Sequence, residues 1–359
     1  MSSVRKVAQA ADVSIATVSR VLNDGTGVND ATRDKVLRAI QRTGYVRRVG
    51  KRSVAEGIAL AYVDRPSVDS PFDHYLVNGI GRAMDQTSGV ERFGNDLLIL
   101  NLKRSLRPNE TLSQLFLRKG VKGALLRSTA EGHALCERLA DEGFPAIVVA
   151  ERFDDGSPVS YVDIDSLHPT RQAVQHLVDL GHRRIGVAAN AYDDSDHLDR
   201  ISAWRDVLKE AGIDPHGDLI FRRAASLEAG VELAGEVANL PPSRRPTAMV
   251  ITDPPLSFGM MRGLRERGWN VPGDLSIVGY DDGDMRLFMH PRLSAVCQDT
   301  TRLGEVALDL LRRRMADSVR PGEKADAPAH VLPPRRETLK ACFEVGDTTA
   351  PPPVTPRQN

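Results

Sequence analysis

The chain has 359 residues, no net charge at neutral pH, 41% apolar residues and 27% charged residues. That length allows two or three domains with real cores, and no apolar run reaches the ~18–20 residues of a membrane span. Neutrality hides an asymmetry: residues 1–52 hold eleven Lys/Arg against four Asp/Glu, and the remainder is acidic by the same margin. A basic head on an acidic body points to a polyanion partner for the head alone. Cys136, Cys297 and Cys342 are odd in number and far apart, so neither a disulfide framework nor a zinc finger is expected. No signal peptide is apparent, and the expected location is cytoplasmic.

Helical periodicity begins at once, with Val4, Val7, Ala8 and Ala11 on one face. Ser3 is placed to cap this helix. Asp12-Val13 breaks the period, Ser14 is placed to cap a second helix, and Val18, Val21 and Leu22 face inward along it. A third helix is expected from about Ala31 to Thr43. Three short helices with a tight turn describe a helix-turn-helix unit. The second helix leaves Ile15, Ala16, Ser19 and Arg20 outward. Arg20 can give two hydrogen bonds to a guanine edge, while Ile15 and Ala16 can pack on thymine methyls. Ser14, Thr17, Ser19 and Asn23 carry the short polar groups that contact phosphates.

The run Val13-Ser14-Ile15-Ala16-Thr17-Val18-Ser19-Arg20-Val21-Leu22-Asn23 closely resembles the DNA-binding signature of the lactose/galactose repressor family. The resemblance implies a hinge after Tyr45 that enters the minor groove. Arg47, Arg48, Lys51, Arg52 and Val54 occupy that stretch here. Val54 stands where the family places a wedging leucine, and the four basic residues would strengthen phosphate contacts.

From Gly57 onward strands and helices alternate, opening with the apolar run Ile58–Val63 typical of a buried parallel strand. The body also resembles the family, notably at Ser70-Pro71-Phe72 with Gly79-Ile80, at Leu180 through Ile185, and at Val271 through Asp282. The resulting fold class is an all-α head plus an α/β body, two-lobed, periplasmic-binding-protein-like, with parallel sheets. The expected organisation is a head over 1–45, a linker over 46–56, a body over 57–345 and a disordered tail over 346–359. Lobe one is expected over about 57–163 and 293–318, and lobe two over about 164–292 and 319–345. Val331-Leu332-Pro333-Pro334 resembles the last family strand, and the match stops at Arg336.

Ligands of open α/β sheets sit beyond the carboxyl ends of strands. Arg200, Asp253 and Asp281 lie at such ends, and the resemblance places Arg200 and Asp281 at effector positions. Phe72 can stack on a sugar face. The bland alternatives are core packing for Phe72 and a lobe-stabilising salt bridge for Arg200 and Asp281. Asp64, Asp69 and Arg152 carry no assignment. The histidines show no ligand spacing, and no metal, cofactor or catalytic constellation is expected. The whole reads as a homodimeric, ligand-switched repressor of a near-palindromic operator, with a higher oligomer left open. The alternative is a periplasmic-type ligand-binding protein without a regulatory role.

Overall fold

The computed structural model describes residues 4–22, 28–43, 57–63, 70–86, 96–318 and 333–354. The head comprises α1 (Val4–Ala10), α2 (Ile15–Leu22) and α3 (Asp30–Thr43). Val7, Val18, Val21, Val36 and Ile40 form its core, as the periodicity predicts. Between α1 and α2, Asp12 adopts a left-handed backbone with φ 52°. Aspartate tolerates this better than most residues, because its short polar side chain can bond locally.

In chain order the body then runs β1 (Gly57–Tyr62), α4 (Pro71–Asp85), β2 (Leu97–Asn101), α5 (Leu102–Ser105), α6 (Leu112–Arg118), β3 (Val121–Arg127), α7 (His133–Asp141), β4 (Ala146–Val149) and β5 (Tyr161–Asp165). It continues with α8 (Leu167–Asp179), β6 (Ile185–Asn190), α9 (Ser195–Glu210), β7 (Ile220–Arg223), α10 (Leu227–Asn239), β8 (Ala248–Ile251), α11 (Pro254–Glu266), β9 (Ser276–Asp281), β10 (Ser294–Cys297), α12 (Thr300–Asp317), β11 (Arg336–Lys340) and β12 (Cys342–Glu344). These strands build two six-stranded sheets, ordered β11-β5-β4-β3-β1-β2 and β12-β10-β9-β8-β6-β7. Pairing is parallel except where β12 runs antiparallel to β10.

β1 shows why a continuous apolar run makes a central strand. Ile58, Leu60 and Tyr62 enter the core beneath α4 and α12, while Ala59, Ala61 and Val63 enter the core on the opposite face. Both faces are covered, so neither alternate set is polar. Burying each large side chain contributes about 1.5–3 kcal/mol. Helices α4 and α12 approach closely enough that a Cβ on Gly79 would lie 1.9 Å from the Thr301 carbonyl oxygen.

The chain crosses between sheets three times: from β5 to α8, from β10 to α12, and from β11 to β12. The lobe boundaries read from sequence are corrected accordingly. β10 belongs to the second sheet, not the first, and β11 belongs to the first sheet, not the second. The strand expected near Val331 is β11, and it begins at Arg336, where the sequence match stops. The tail also departs from expectation over 346–354. Thr348 is fully buried, and Ile277 and Thr348 exchange two hydrogen bonds, from Ile277 N to Thr348 O at 2.8 Å and from Thr348 Oγ1 to Ile277 O at 2.6 Å. Ala350 N donates to Ser276 Oγ, and the Ala350 carbonyl lies against the His182 ring. Composition missed this because the anchor is backbone pairing along β9, which Pro- and Thr-rich segments can supply.

Candidate DNA-reading face and effector cleft

Ser14 caps α2, its Oγ accepting from Thr17 N at 3.0 Å and lying 2.8 Å from Thr17 Oγ1. Ile15, Ala16, Ser19 and Arg20 are all exposed on α2, and Ile15 retains 49% of its surface. An isoleucine that open at the start of a second helix, with an exposed arginine in its last turn, fits the face such units present to a groove. Asn23, Arg47, Arg48, Lys51, Arg52 and Val54 lie outside the described residues.

In the body, segments just beyond the carboxyl ends of β4 and β9 meet the other lobe, through Arg152 with Asp199 and through Gly283 with Tyr75. Arg200 sits in the second turn of α9, which begins at Ser195, earlier than the sequence suggests. Its guanidinium is buried, donates to the Thr252 carbonyl at 3.0 Å and to Ser166 Oγ at 3.2 Å, and lies 4.1 Å from the Tyr280 ring centroid. Asp253 lies between β8 and α11 and accepts from Thr252 Oγ1, with His197 Nε2 at 3.1 Å. The other His197 nitrogen lies 2.6 Å from Asp194. Burial would lower the His197 pKa, but the two carboxylates outweigh it and hold the ring protonated up to about 9. His197 is the residue that spacing analysis misses, because its partners lie three and fifty-six positions away.

Asp281 departs from its expected role. Its carboxylate accepts from the backbone of Met285 and Arg286 and pairs with the Arg286 guanidinium at 3.2 Å, so it orders its own loop. The salt-bridge reading describes it better than the effector reading. Its neighbour Asp282 is buried and makes no hydrogen bond among the described residues. Burial pushes the Asp282 carboxyl up to about 7, against the pull of Arg200. Phe72 lies on the first lobe, partly buried against its core, with the Arg127 guanidinium 4.4 Å from its ring centre. Core packing and a cation thus occupy much of the ring expected to stack on a ligand.

The lobes touch on both sides of the candidate cleft. Arg152 Nη1 lies 3.1 Å from Asp163 in β5, and its Nη2 lies 2.6 Å from Asp199 in α9. Ser195 N donates to Glu151 at 3.1 Å. On the other side, Tyr75 of α4 presses so closely on Gly283 that a Cβ there would lie 2.4 Å from the ring. Around the cleft, Asp163 Oδ1, Arg200 Nε, both amide atoms of Gln298 and Thr300 Oγ1 are buried without a hydrogen-bond partner among the described residues. Native proteins rarely leave such groups unanswered, at about 1–3 kcal/mol each. Burial, reinforced by Asp196, drives the Asp163 carboxyl well above the usual carboxylate range despite Arg152.

Residues 3–48 match the family described as bacterial regulatory proteins, lacI family, and residues 174–338 match a periplasmic binding protein-like domain. The regulator CelR of Thermobifida fusca is 30% identical over 329 residues, covering 89% of this chain and 94% of that protein. Catabolite control protein A of Priestia megaterium is 27% identical, covering 87% of this chain and 92% of that protein. Among solved structures, a CelR–cellobiose complex superposes with a TM-score of 0.65 at 26% identity, covering 97% of this chain and all of the other. The operator-bound lac repressor dimer shares the fold, with a TM-score of 0.60 at 23% identity, covering 96% of this chain and 98% of that one. The chain belongs to the lacI family. It is a transcriptional regulator with a DNA-binding head and an effector-binding body, which sets aside the reading as a binding protein without a regulatory role. Its relatives are regulators, not enzymes. Among the described residues no helix is long and apolar enough to cross a membrane.

Proposed function

We propose that the chain is a homodimeric repressor that reads a near-palindromic operator and is switched by a polyhydroxylated, sugar-like effector. Arg20, Ile15 and Ala16 read base edges, Ser14, Thr17, Ser19 and Asn23 hold phosphates, and the basic linker through Val54 adds charge near the centre of the site. The effector lies between Arg200, Asp253, Asp282 and Gln298, with Phe72 across the cleft. The carrying observation is the set of unpaired buried polar atoms where the two lobes meet.

The cleft favours neutral hydroxyl groups over an anionic ligand. Burial raises the Asp163, Asp196 and Asp282 carboxyls above their ordinary range, and whatever negative charge they keep would disfavour an anionic ligand beside them. The cellobiose complex of the related CelR agrees with a carbohydrate effector. Dimerisation uses the loop after β9, where Met285, Leu287 and Phe288 are exposed and Phe288 keeps 84% of its surface. Exposed apolar clusters of this kind mark interaction surfaces.

A thermal-shift screen of neutral sugars, sugar acids and sugar phosphates tests the effector class. Neutral sugars are expected to raise the melting temperature, with the gain lost in Arg200→Ala. Stabilisation by sugar phosphates alone would overturn the assignment.

A further inference from the structure

We infer that Cys342 and Cys297 form an oxidation site at the interlobe hinge, where a hydroperoxide converts the two thiols to an intramolecular disulfide. The two residues are direct partners in the antiparallel β10–β12 ladder. Opposed residues in such a ladder have Cα atoms about 4.5–5.5 Å apart, and a disulfide spans about 4.4–6.8 Å, so the backbone already has the right separation. The two sulfurs and a Glu344 carboxylate oxygen all lie within 4.8 Å of one another.

Two thiols beside a carboxylate also suit a soft metal ion, but the charges argue against one. Glu344 is paired with Arg286, whose guanidinium also acts electrostatically on Cys297. The carboxylate is therefore already neutralised, and an added cation would sit beside a fixed positive charge. What remains is a pair of adjacent thiols.

Their environments divide the chemistry between them. Cys342 is exposed, whereas Cys297 is half-buried and its thiol is pushed up to about 12 by burial, over the opposing pull of Arg286. Cys342 is the attacking group. Its thiolate takes the terminal oxygen of the hydroperoxide, the O–O bond breaks, and a sulfenic acid forms with release of water or an alcohol. Cys297 then attacks the Cys342 sulfur, and the sulfenic hydroxyl leaves as water with the Cys297 proton. Two thiols lose two electrons and two protons, and the hydroperoxide is reduced. Cys136 is buried in a different core and takes no part.

The location gives the bond a consequence. Cys297 precedes the crossing at Gln298–Asp299, and Cys342 follows the crossing at Ala341. β12 is three residues long and pairs only with β10 within its sheet. Arg286 links the same cluster to the Asp281 loop. A disulfide would tie together two of the three hinge segments and resist rearrangement of the lobes.

The test is mass spectrometry of non-reduced peptides after brief treatment of the reduced, native full-length chain with hydrogen peroxide. The expected product is a link between the Cys297 and Cys342 peptides within one chain, removed by dithiothreitol, with Cys136 still alkylatable. Cys297→Ser should instead accumulate sulfenic acid at Cys342, captured by dimedone, and Cys342→Ser should give neither product. A Cys342–Cys342 link between copies overturns the proposal. So does an unmodified pair at a peroxide dose that oxidises other exposed thiols.

Discussion

Arg152 Nη2 lies 2.6 Å from Asp199 Oδ2, an ion pair that spans the cleft from the first lobe to α9 of the second. The same guanidinium holds Asp163 on its own lobe, so one side chain both answers a buried carboxylate and closes the body. Arg152→Ala is expected to shift the lobes toward an open arrangement and weaken effector binding about fivefold, near 1 kcal/mol for a partly exposed pair. Calorimetric titration with a sugar that stabilises the native chain checks this. Unchanged affinity would show that the pair contributes nothing to closure.

Asp282 should separate stability from ligand response. Its carboxyl is raised from 3.8 to about 7, chiefly by burial, so from pH 4 to 7 the folded chain keeps a proton that the unfolded chain has released. Its contribution to stability therefore declines as pH rises through that window. Asp282→Asn is expected to melt higher than the native chain at pH 8 and no higher at pH 4, while losing about tenfold in effector affinity. Melts at the two pH values, with one titration, decide it.

His197 shifts in the same direction, driven by neighbouring carboxylates and not by burial. The folded state holds the ring's proton to about pH 9, against 6.5 in the unfolded chain, because Asp194 and Asp253 outweigh burial. This stabilisation is whole below pH 6.5 and disappears as pH rises through 9. His197→Ala leaves two carboxylates facing a buried gap and is expected to cost about 3–5 kcal/mol at pH 6. Denaturant unfolding of both forms at pH 6 and pH 9.5 should show a much smaller difference at the higher pH.

Arg20→Ala is expected to remove about 1–3 kcal/mol of binding to the operator while leaving binding to scrambled duplex almost intact. The two isotherms must be compared at one salt concentration. Equal losses on both duplexes would restrict Arg20 to phosphate contact.

Replacing Arg47, Arg48, Lys51 and Arg52 together by alanine is expected to flatten the slope of log K against log salt by up to ~3–4 units, since each phosphate neutralised contributes about −0.9. A variant with the native slope would make the linker a spacer. Val54→Leu is expected to tighten operator binding if the linker enters the minor groove.

Local periodicity made the head and the buried strands legible: Val18 and Val21 against exposed Ile15 and Arg20, and a β1 apolar on both faces. The site was legible only in part. Arg200 and Asp253 are singled out because strand ends are visible in sequence, and the structure places Asp253 against His197 and Arg200 against the Thr252 carbonyl. Which of two adjacent aspartates is paired is set by Arg286 and by the path of the following loop, and it is Asp281. The sheet membership of β10 and β11 depends on tertiary pairing with β9 and β5, which composition does not encode. The buried course of Thr348 has the same cause.

The coupling of cleft to head is tested most directly by fluorescence anisotropy of a duplex selected from random DNA by the native full-length chain. Isotherms are recorded with and without a sugar that raises the melting temperature. A palindromic duplex is predicted, with a sugar-dependent change in affinity of about 5–150-fold, as for typical coupling energies of 1–3 kcal/mol. Arg200→Ala should bind the duplex as tightly as the native chain and show no change on adding sugar. Identical native isotherms with and without the stabilising sugar would contradict the account.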